Sequence, residues 1–333
     1  MQLDPTTDWM YTADPGRAAL GLNGRRVPVP RGRMLGGSSS INYMAYVRGH
    51  PGDFDAWAAG GATGWSHAEV LPYFRRSEGL GATGEAVIDE ASHGRAGPLG
   101  VSVRAPMLDA ARDFAAAAEA AGYPRGDYNG AGRRNARGVA SLFQTSTKRG
   151  KRSSTYAAFL EGAVEQRPNL AILTGAQATR VLFADGPAGL AATGVEYRAA
   201  DGSTRSVLAR REVILSAGAI GSPHLLMLSG VGSRAELEAA GVTCRLDAPH
   251  VGKHLKDHIM LALRYPAPGL ALSMNAIGPS LGSAALRGPG GPLPADPAED
   301  GALSPELLAL RDQADRLLGE WDATGQGLPS SSL

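Results

Sequence analysis

The sequence has little of what marks several broad protein classes. One cysteine, Cys244, stands in 333 residues, which excludes an internal disulfide framework and a cysteine-based metal cage and fits a reducing compartment. No apolar run approaches the roughly 18 uninterrupted residues of a membrane-spanning helix. The opening residues Met1-Gln-Leu-Asp-Pro-Thr-Thr-Asp lack the basic and apolar regions of a secretory signal, so a cytoplasmic location is expected. The net charge is +1, and no block of Lys or Arg is long enough to form a footprint for nucleic acid. No Gly-x-Gly-x-x-Gly lies between a first strand and a helix, so the usual pyrophosphate site of a dinucleotide fold is missing.

What the chain does have is apolar content of 43%, enough for a sizeable core in one large domain or two modest ones. It also has 45 glycines, about twice the usual share. That excess implies many tight turns or backbone that comes close to a ligand.

Residues 1–35 read as extended segments and turns, punctuated at Asp14-Pro15-Gly16 and Asn23-Gly24. Short helices are expected over 53–57 and 67–74, the second capped by Ser66. Residues 79–97 hold five glycines and read as a surface loop, whereas 99–103 alternates like a strand. Periodicity predicts a helix over 107–121 stopped by Gly122, and another from Ser154 to Val164. The next stretch is β-rich, with strands expected over 170–174, 178–183, 194–197 and 205–208. Glu212-Val-Ile-Leu-Ser216 reads as a compact apolar strand running through small residues toward a helix at 224–229, with Pro223 in its first turn. Beyond about residue 264 come a Gly-Pro linker and one helical pattern over 305–321.

Two stretches carry chemistry. In Gly36-Gly37-Ser38-Ser39-Ser40 the glycines let backbone approach a flat or phosphorylated ligand, and the serines and Asn42 add donors without bulk. Its flanks, Arg31–Leu35 and Tyr43–Val47, do not have linker composition. In residues 213–223 a strand passes through small residues into a helix, as open α/β sheets do where they present a cofactor crevice; an ordinary β–α turn would look the same.

RGRMLGGSSSINYMAYVRG, residues 31–49, and GAIGSPHLLMLSGVG, residues 218–232, resemble the two signatures of the glucose-methanol-choline (GMC) oxidoreductases. Smaller pieces follow in family order, among them Gly64-Trp65, His93-Gly94 with Gly97-Pro-Leu99, Arg152-Ser-Ser154, Val181-Leu-Phe183 and Val251-Gly-Lys-His-Leu-Lys-Asp-His258. The resemblance runs from about Trp9 to Arg264, toward the choline-dehydrogenase-like branch. It implies a mixed α/β fold: a partial FAD-binding Rossmann-like domain with interleaved substrate-domain segments over 1–264, then a linker and the start of a substrate domain over 265–333.

The resemblance also implies FAD as cofactor, with Met34, Gly36 and Gly37 along it and Asn42, Tyr43, Met44 and Ala45 near the flavin. Val181 would offer its backbone to the adenine, and Ala217 and Gly218 would line the same crevice. Ile41 stands where some relatives carry a histidine bonded to FAD, so non-covalent binding is expected. In the family a histidine takes the proton of a small-molecule alcohol while hydride passes to the flavin. No residue here matches that base. The resemblance therefore implies an internal fragment, inactive alone, that lacks the glycine fingerprint and the catalytic histidine region.

Other features have plainer readings. His250, His254 and His258 would share one face of a helix, as metal ligands can, but Pro249 and Gly252 argue against that helix. His224 reads as a polar residue at a helix start, and His50 and His93 as loop residues poorly suited to act as bases. The basic stretch Lys148–Arg152 reads most simply as a solvated loop, with charge near an FAD phosphate as the alternative. Three functions stay open: an FAD-dependent alcohol dehydrogenase or oxidase, a non-catalytic remnant or binding module of the same fold, and a metal enzyme using the three histidines.

Overall fold

A computed structural model describes residues 2–16, 26–103, 109–131, 138–186 and 189–258. Asn23-Gly24, the linker and the 305–321 helix lie outside the described residues. The chain divides between Gln166 and Arg167 into two compact units.

In the first unit, β1 (Tyr11–Ala13) pairs antiparallel with β2 (Val27–Val29). Buried Asp8 ties their bases together, its carboxylate accepting the N–H groups of Leu3, Met10 and Arg31. Helix α1 (Pro51–Ala59) starts where Pro51 fixes the first turn and the Asp53 carboxylate accepts the His50 N–H. Helix α2 (His67–Ser77) starts at Ser66, whose N–H and hydroxyl both donate to Glu69. The two helices meet at buried Phe54, which packs edge-on against Trp57 and Phe74.

After α2 come β3 (Glu78–Leu80), a 3-10 turn at Glu90–Ser92 and β4 (Leu99–Val103). The expected surface loop over 79–97 is therefore wrong in part. Its start pairs parallel with β4, Leu80 is buried against the same core as Val101 and Val103, and His93 is buried too. Helix α3 (Asp109–Ala120) follows, then the short strands β5 (Gln144–Thr145), β6 (Thr147–Lys148) and β7 (Lys151–Arg152). The sheet order is β3-β4-β5, and β6 and β7 form a separate hairpin. The helix expected from Ser154 is two pieces, α4 (Thr155–Phe159) and α5 (Ala163–Gln166). Gly162 between them has φ +74°, which no helical turn accommodates.

In the second unit, β8 (Gln177–Gly186), β9 (Gly189–Arg198) and β10 (Thr204–Leu208) form an antiparallel meander in the order β10-β9-β8. The expected strand over 170–174 does not form. Helix α6 (Gly218–Leu228) packs on β8, burying Leu225 and Val181. It begins six residues earlier than the pattern predicted and carries Pro223 inside, so the carbonyl of Ala219 lacks its helical N–H partner. Then come β11 (Val231–Gly232), α7 (Arg234–Ala239) and β12 (Leu246–Asp247), with β11 parallel to β12 and Val231 and Leu237 buried.

The apolar run over 212–216 is not a strand, and Ile214 is 75% exposed. A strand needs a neighbour to take its N–H and C=O groups, and among the described residues this run has none. No helix among the described residues is long and apolar enough to cross a membrane.

Candidate cofactor site

The Gly-Ser run folds as a tight corner. Gly37 N–H closes on Met34 O at 2.9 Å, and Gly37–Ser40 makes one 3-10 turn. Gly36 and Gly37 have φ of +86° and +53°, conformations that L side chains rarely adopt. The serine hydroxyls hold the corner itself. Ser38 Oγ accepts Gly32 N–H, Ser39 Oγ donates to Gly36 O, and Ser40 Oγ donates to Leu35 O.

Arg152 secures the exit. Its Nη1 donates to Ser39 O at 3.1 Å, Asn42 O at 2.9 Å and Asn42 Oδ1 at 2.8 Å. Burial lowers the pKa of this guanidinium from its ordinary value. The expected solvated loop over 148–152 is therefore a β6–β7 hairpin whose last residue reaches the Gly-Ser corner. Asn42 Oδ1 also accepts Met44 N–H at 3.1 Å, and Met44 has φ +61°, a strained setting for a residue with a side chain. Past Met44 the chain bonds to β5 and its flank: Ser146 N–H donates to Met44 O and Tyr46 N–H donates to Gln144 O. Ala45 lies between these two bonds, so its own N–H and C=O face the other edge.

The first seven predicted cofactor residues thus belong to one short segment. Met34 and Tyr43 are 41% and 46% exposed, and Asn42 and Ala45 are also exposed. The remaining three belong to the second unit. Val181 is buried in β8 and gives its N–H to Ser229 Oγ at 2.8 Å. Ala217 and Gly218 are exposed at the start of α6, and Gly218 has φ +83°.

Residues 79–84, Gly-Leu-Gly-Ala-Thr-Gly, do spell Gly-x-Gly-x-x-Gly, but they begin inside β3 and run into a loop. Without a helix start behind the glycines there is no aligned set of free N–H groups for a phosphate. The three spaced histidines fail for a related reason. Residues 248–258 form no helix, His254 has φ +58°, and among the described residues no group of three or more His, Cys, Asp or Glu could hold a metal.

A second cluster was missed from the sequence. His93 Nδ1 meets Glu78 Oε1 at 2.8 Å, and His93 Nε2 meets Asp127 Oδ2 at 2.7 Å. Arg48 Nη2 meets Glu78 Oε2 at 2.7 Å, and all four side chains are buried. Burial alone would lower the His93 pKa, but the hydrogen bonds and charges of Asp127 and Glu78 outweigh it and push it up to about 9. Burial also opposes ionisation of Asp127, yet the His93 bond and backbone N–H groups hold its pKa below the usual value.

Residues 10–260 match the family model of the GMC oxidoreductases. The chain belongs to the GMC oxidoreductase family. It is 43% identical over 265 residues to an uncharacterized GMC-type oxidoreductase of Mycobacterium tuberculosis, covering 78% of this chain and 46% of that protein. It is 41% identical to an oxygen-dependent choline dehydrogenase of Photobacterium profundum, covering 77% of this chain and 43% of the relative.

Among solved structures it is similar to an FAD-dependent oxidoreductase from Chaetomium thermophilum, with TM-score 0.65, 30% identity, and 74% of this chain and 43% of that one covered. Pyridoxine 4-oxidase from Mesorbium loti matches with TM-score 0.60 and 33% identity, over 73% of this chain and 45% of that one. The chain thus spans less than half the length of these relatives. The mixed α/β fold is that of FAD-binding GMC oxidoreductases, and FAD agrees with both the family and its solved neighbours. Of the residues missed from the sequence, Arg152 had one available signal, its place in the Arg152-Ser-Ser154 piece of the resemblance.

Proposed function

We propose that this chain carries FAD-binding residues of a GMC oxidoreductase that oxidises the CH–OH group of a primary alcohol. The observation that carries this reading is the Gly36–Gly37 corner. A Cβ added at Gly37 would meet nothing within 4 Å, so the backbone there is open to a flat group, whereas a Cβ at Gly36 would strike Ser40 Oγ. The residues fit the cofactor. Exposed Met34 and Tyr43 offer contact area, whereas Asn42, the outward backbone of Ala45 and the bare face of Gly37 offer polar groups and close approach without bulk.

In this reading Met34, Gly36, Gly37, Asn42, Tyr43, Met44 and Ala45 bind FAD from the first unit. Val181, Ala217 and Gly218 are the cofactor residues of the second. Ile41 is buried and has no nucleophilic atom, so FAD is held non-covalently. Bound FAD would supply the hydride acceptor. The chain's own residues supply position: Arg152 and Asn42 hold the corner, and Met44 is kept in its strained setting by Asn42 Oδ1.

His93 is not the catalytic base. Both its ring nitrogens face carboxylates, so neither is available to take a proton from a substrate. Residues 1–264 are proposed as a partial FAD-binding domain with interleaved substrate-domain segments, and 265–333 as a linker and the start of the substrate domain. The choline dehydrogenase and pyridoxine oxidase relatives support an alcohol as substrate, without selecting one.

The test is direct. The purified chain is mixed with FAD, freed of unbound cofactor and scanned in the visible. Retained flavin bands are the expected result. Their complete absence overturns the reading and favours a module of this fold that holds no cofactor.

A further inference from the structure

We propose that His93, wedged between Glu78 and Asp127, is a positioning residue for the flavin loop, fixing the backbone of Tyr46 and Arg48 and through it Met44 and Ala45. This rests on the assignment of Met44 and Ala45 to the flavin made above. It begins from a constraint on protons. An ionised carboxylate can only accept, and His93 meets one at each ring nitrogen, so both nitrogens donate.

From His93 the bonds lead to the loop by two routes. Along the first, Asp127 accepts from His93 with Oδ2, while its Oδ1 accepts Asn129 N–H at 2.9 Å and Gln144 Nε2 at 2.9 Å. Asn129 then grips the loop with both ends of its amide. Its Nδ2 donates to Tyr46 O at 2.9 Å, and its Oδ1 accepts Arg48 N–H at 2.8 Å. Along the second route, Glu78 joins His93 to the Arg48 guanidinium, whose Nη1 also donates to Ser92 O at 2.6 Å. Gly94 N–H fills the remaining place on Glu78 Oε2 at 2.8 Å.

The two routes close on residues 46–48, the first on their backbone and the second on the Arg48 side chain, in a stretch that begins two residues after Met44. Half-buried Tyr46, whose carbonyl also accepts Tyr128 Oη at 2.9 Å, can shift only by breaking these partly buried bonds, where an unmade hydrogen bond is costly. The corner is thus anchored on its near side by Arg152 and on its far side by the ring of bonds around His93.

The test uses the full chain with FAD and two variants. His93→Gln removes the charge and one of the two donors. Asn129→Ser removes no charge and cuts the grip on Tyr46 and Arg48, together with the bond from Asn129 Nδ2 to Gln144 Oε1 at 2.8 Å. Flavin fluorescence gives the FAD dissociation constant of the folded fraction, melting gives its stability, and hydrogen exchange reads the amides of residues 44–48. Both variants are expected to bind FAD roughly tenfold more weakly, the scale of one hydrogen bond lost from the support of the loop. Exchange at Tyr46 and Arg48 should quicken with it.

A merely structural role would lower the melting temperature and leave the dissociation constant of the folded fraction unchanged, and that result overturns the proposal. If His93→Gln does not fold, Asn129→Ser carries the same test. If the unmodified chain takes up no FAD, the flavin reading has failed. The positioning then stands or falls on hydrogen exchange alone, and unchanged exchange at Tyr46 and Arg48 sinks it.

Discussion

Arg152 Nη1 donates to both the backbone carbonyl and the side-chain oxygen of Asn42, at 2.9 and 2.8 Å. The two residues are 110 positions apart, and their contact joins the β6–β7 hairpin to the corner proposed for FAD. Three acceptors on one nitrogen make this a clamp on shape as well as on charge. Arg152→Lys keeps the charge on a compact ammonium with a different reach. It is expected to lose about 1–2 kcal/mol of stability in urea unfolding and to weaken FAD retention. Unchanged values for both would show that the clamp holds nothing.

The two adjacent glycines should separate folding from binding. Gly36→Ala meets Ser40 Oγ and is strained at φ +86°, so it is expected to lower stability by more than about 2 kcal/mol. Gly37→Ala meets open space and bears only the left-handed strain, about 1 kcal/mol. Its methyl group, however, would stand on the face proposed for the flavin. FAD titration of the folded Gly37→Ala chain should show the larger binding loss per unit of stability lost.

The buried imidazolium predicts an alkaline limit. Folding raises the His93 pKa from 6.5 to about 9, so its contribution is complete below 6.5. As pH rises from there through about 9 the contribution is lost, because the unfolded chain gives up its proton first. The full span corresponds to about 3 kcal/mol. Glu78 on β3 and Asp127 face this ring and set its charge, Arg48 pairs with the far side of Glu78, and Glu90 interacts with the ring at longer range. Urea midpoints measured from pH 6 to 10 should fall for the native chain and stay nearly level for His93→Gln. Parallel curves would remove His93 as the titrating group.

Among the described residues of the second unit, the buried apolar side chains are Val181, Leu225, Val231 and Leu237. Leu237 in α7 is 1% exposed, and Leu237→Ala is expected to cost about 2–5 kcal/mol. Calorimetry would report this as a lower melting transition, and a shift smaller than about 1 kcal/mol would mean that the site collapses around the missing atoms.

Much of the local structure was readable from the chain. Strand β4 matched its alternation from Leu99 to Val103, and α2 began at the expected Ser66, because caps and periodicity act between near neighbours. The Gly-Ser corner was recognisable for the same reason. One miss is local, the Gly162 break in the helix expected from Ser154, but those that bear on the site are long-range. The apolar letters of 212–216 report hydrophobicity, but a strand depends on a partner that local sequence does not name.

His93 reads as a loop residue because Glu78 and Asp127 lie 15 and 34 positions away, and no spacing rule brings them together. Arg152 looks like one solvated cation among several until Asn42 is seen beside it. What the sequence hides is which polar groups end up dry.

The ring around His93 has a consequence for how this domain can change over time. Its two cations, Arg48 and His93, and its two anions, Glu78 and Asp127, cancel within one enclosed space. Replacing Arg48 or His93 leaves a buried carboxylate without its cation, and replacing Glu78 or Asp127 removes what holds the His93 proton. Neutral drift at these four positions therefore has to proceed by compensated pairs, and a graft of the flavin loop onto another scaffold must carry the whole quartet with it.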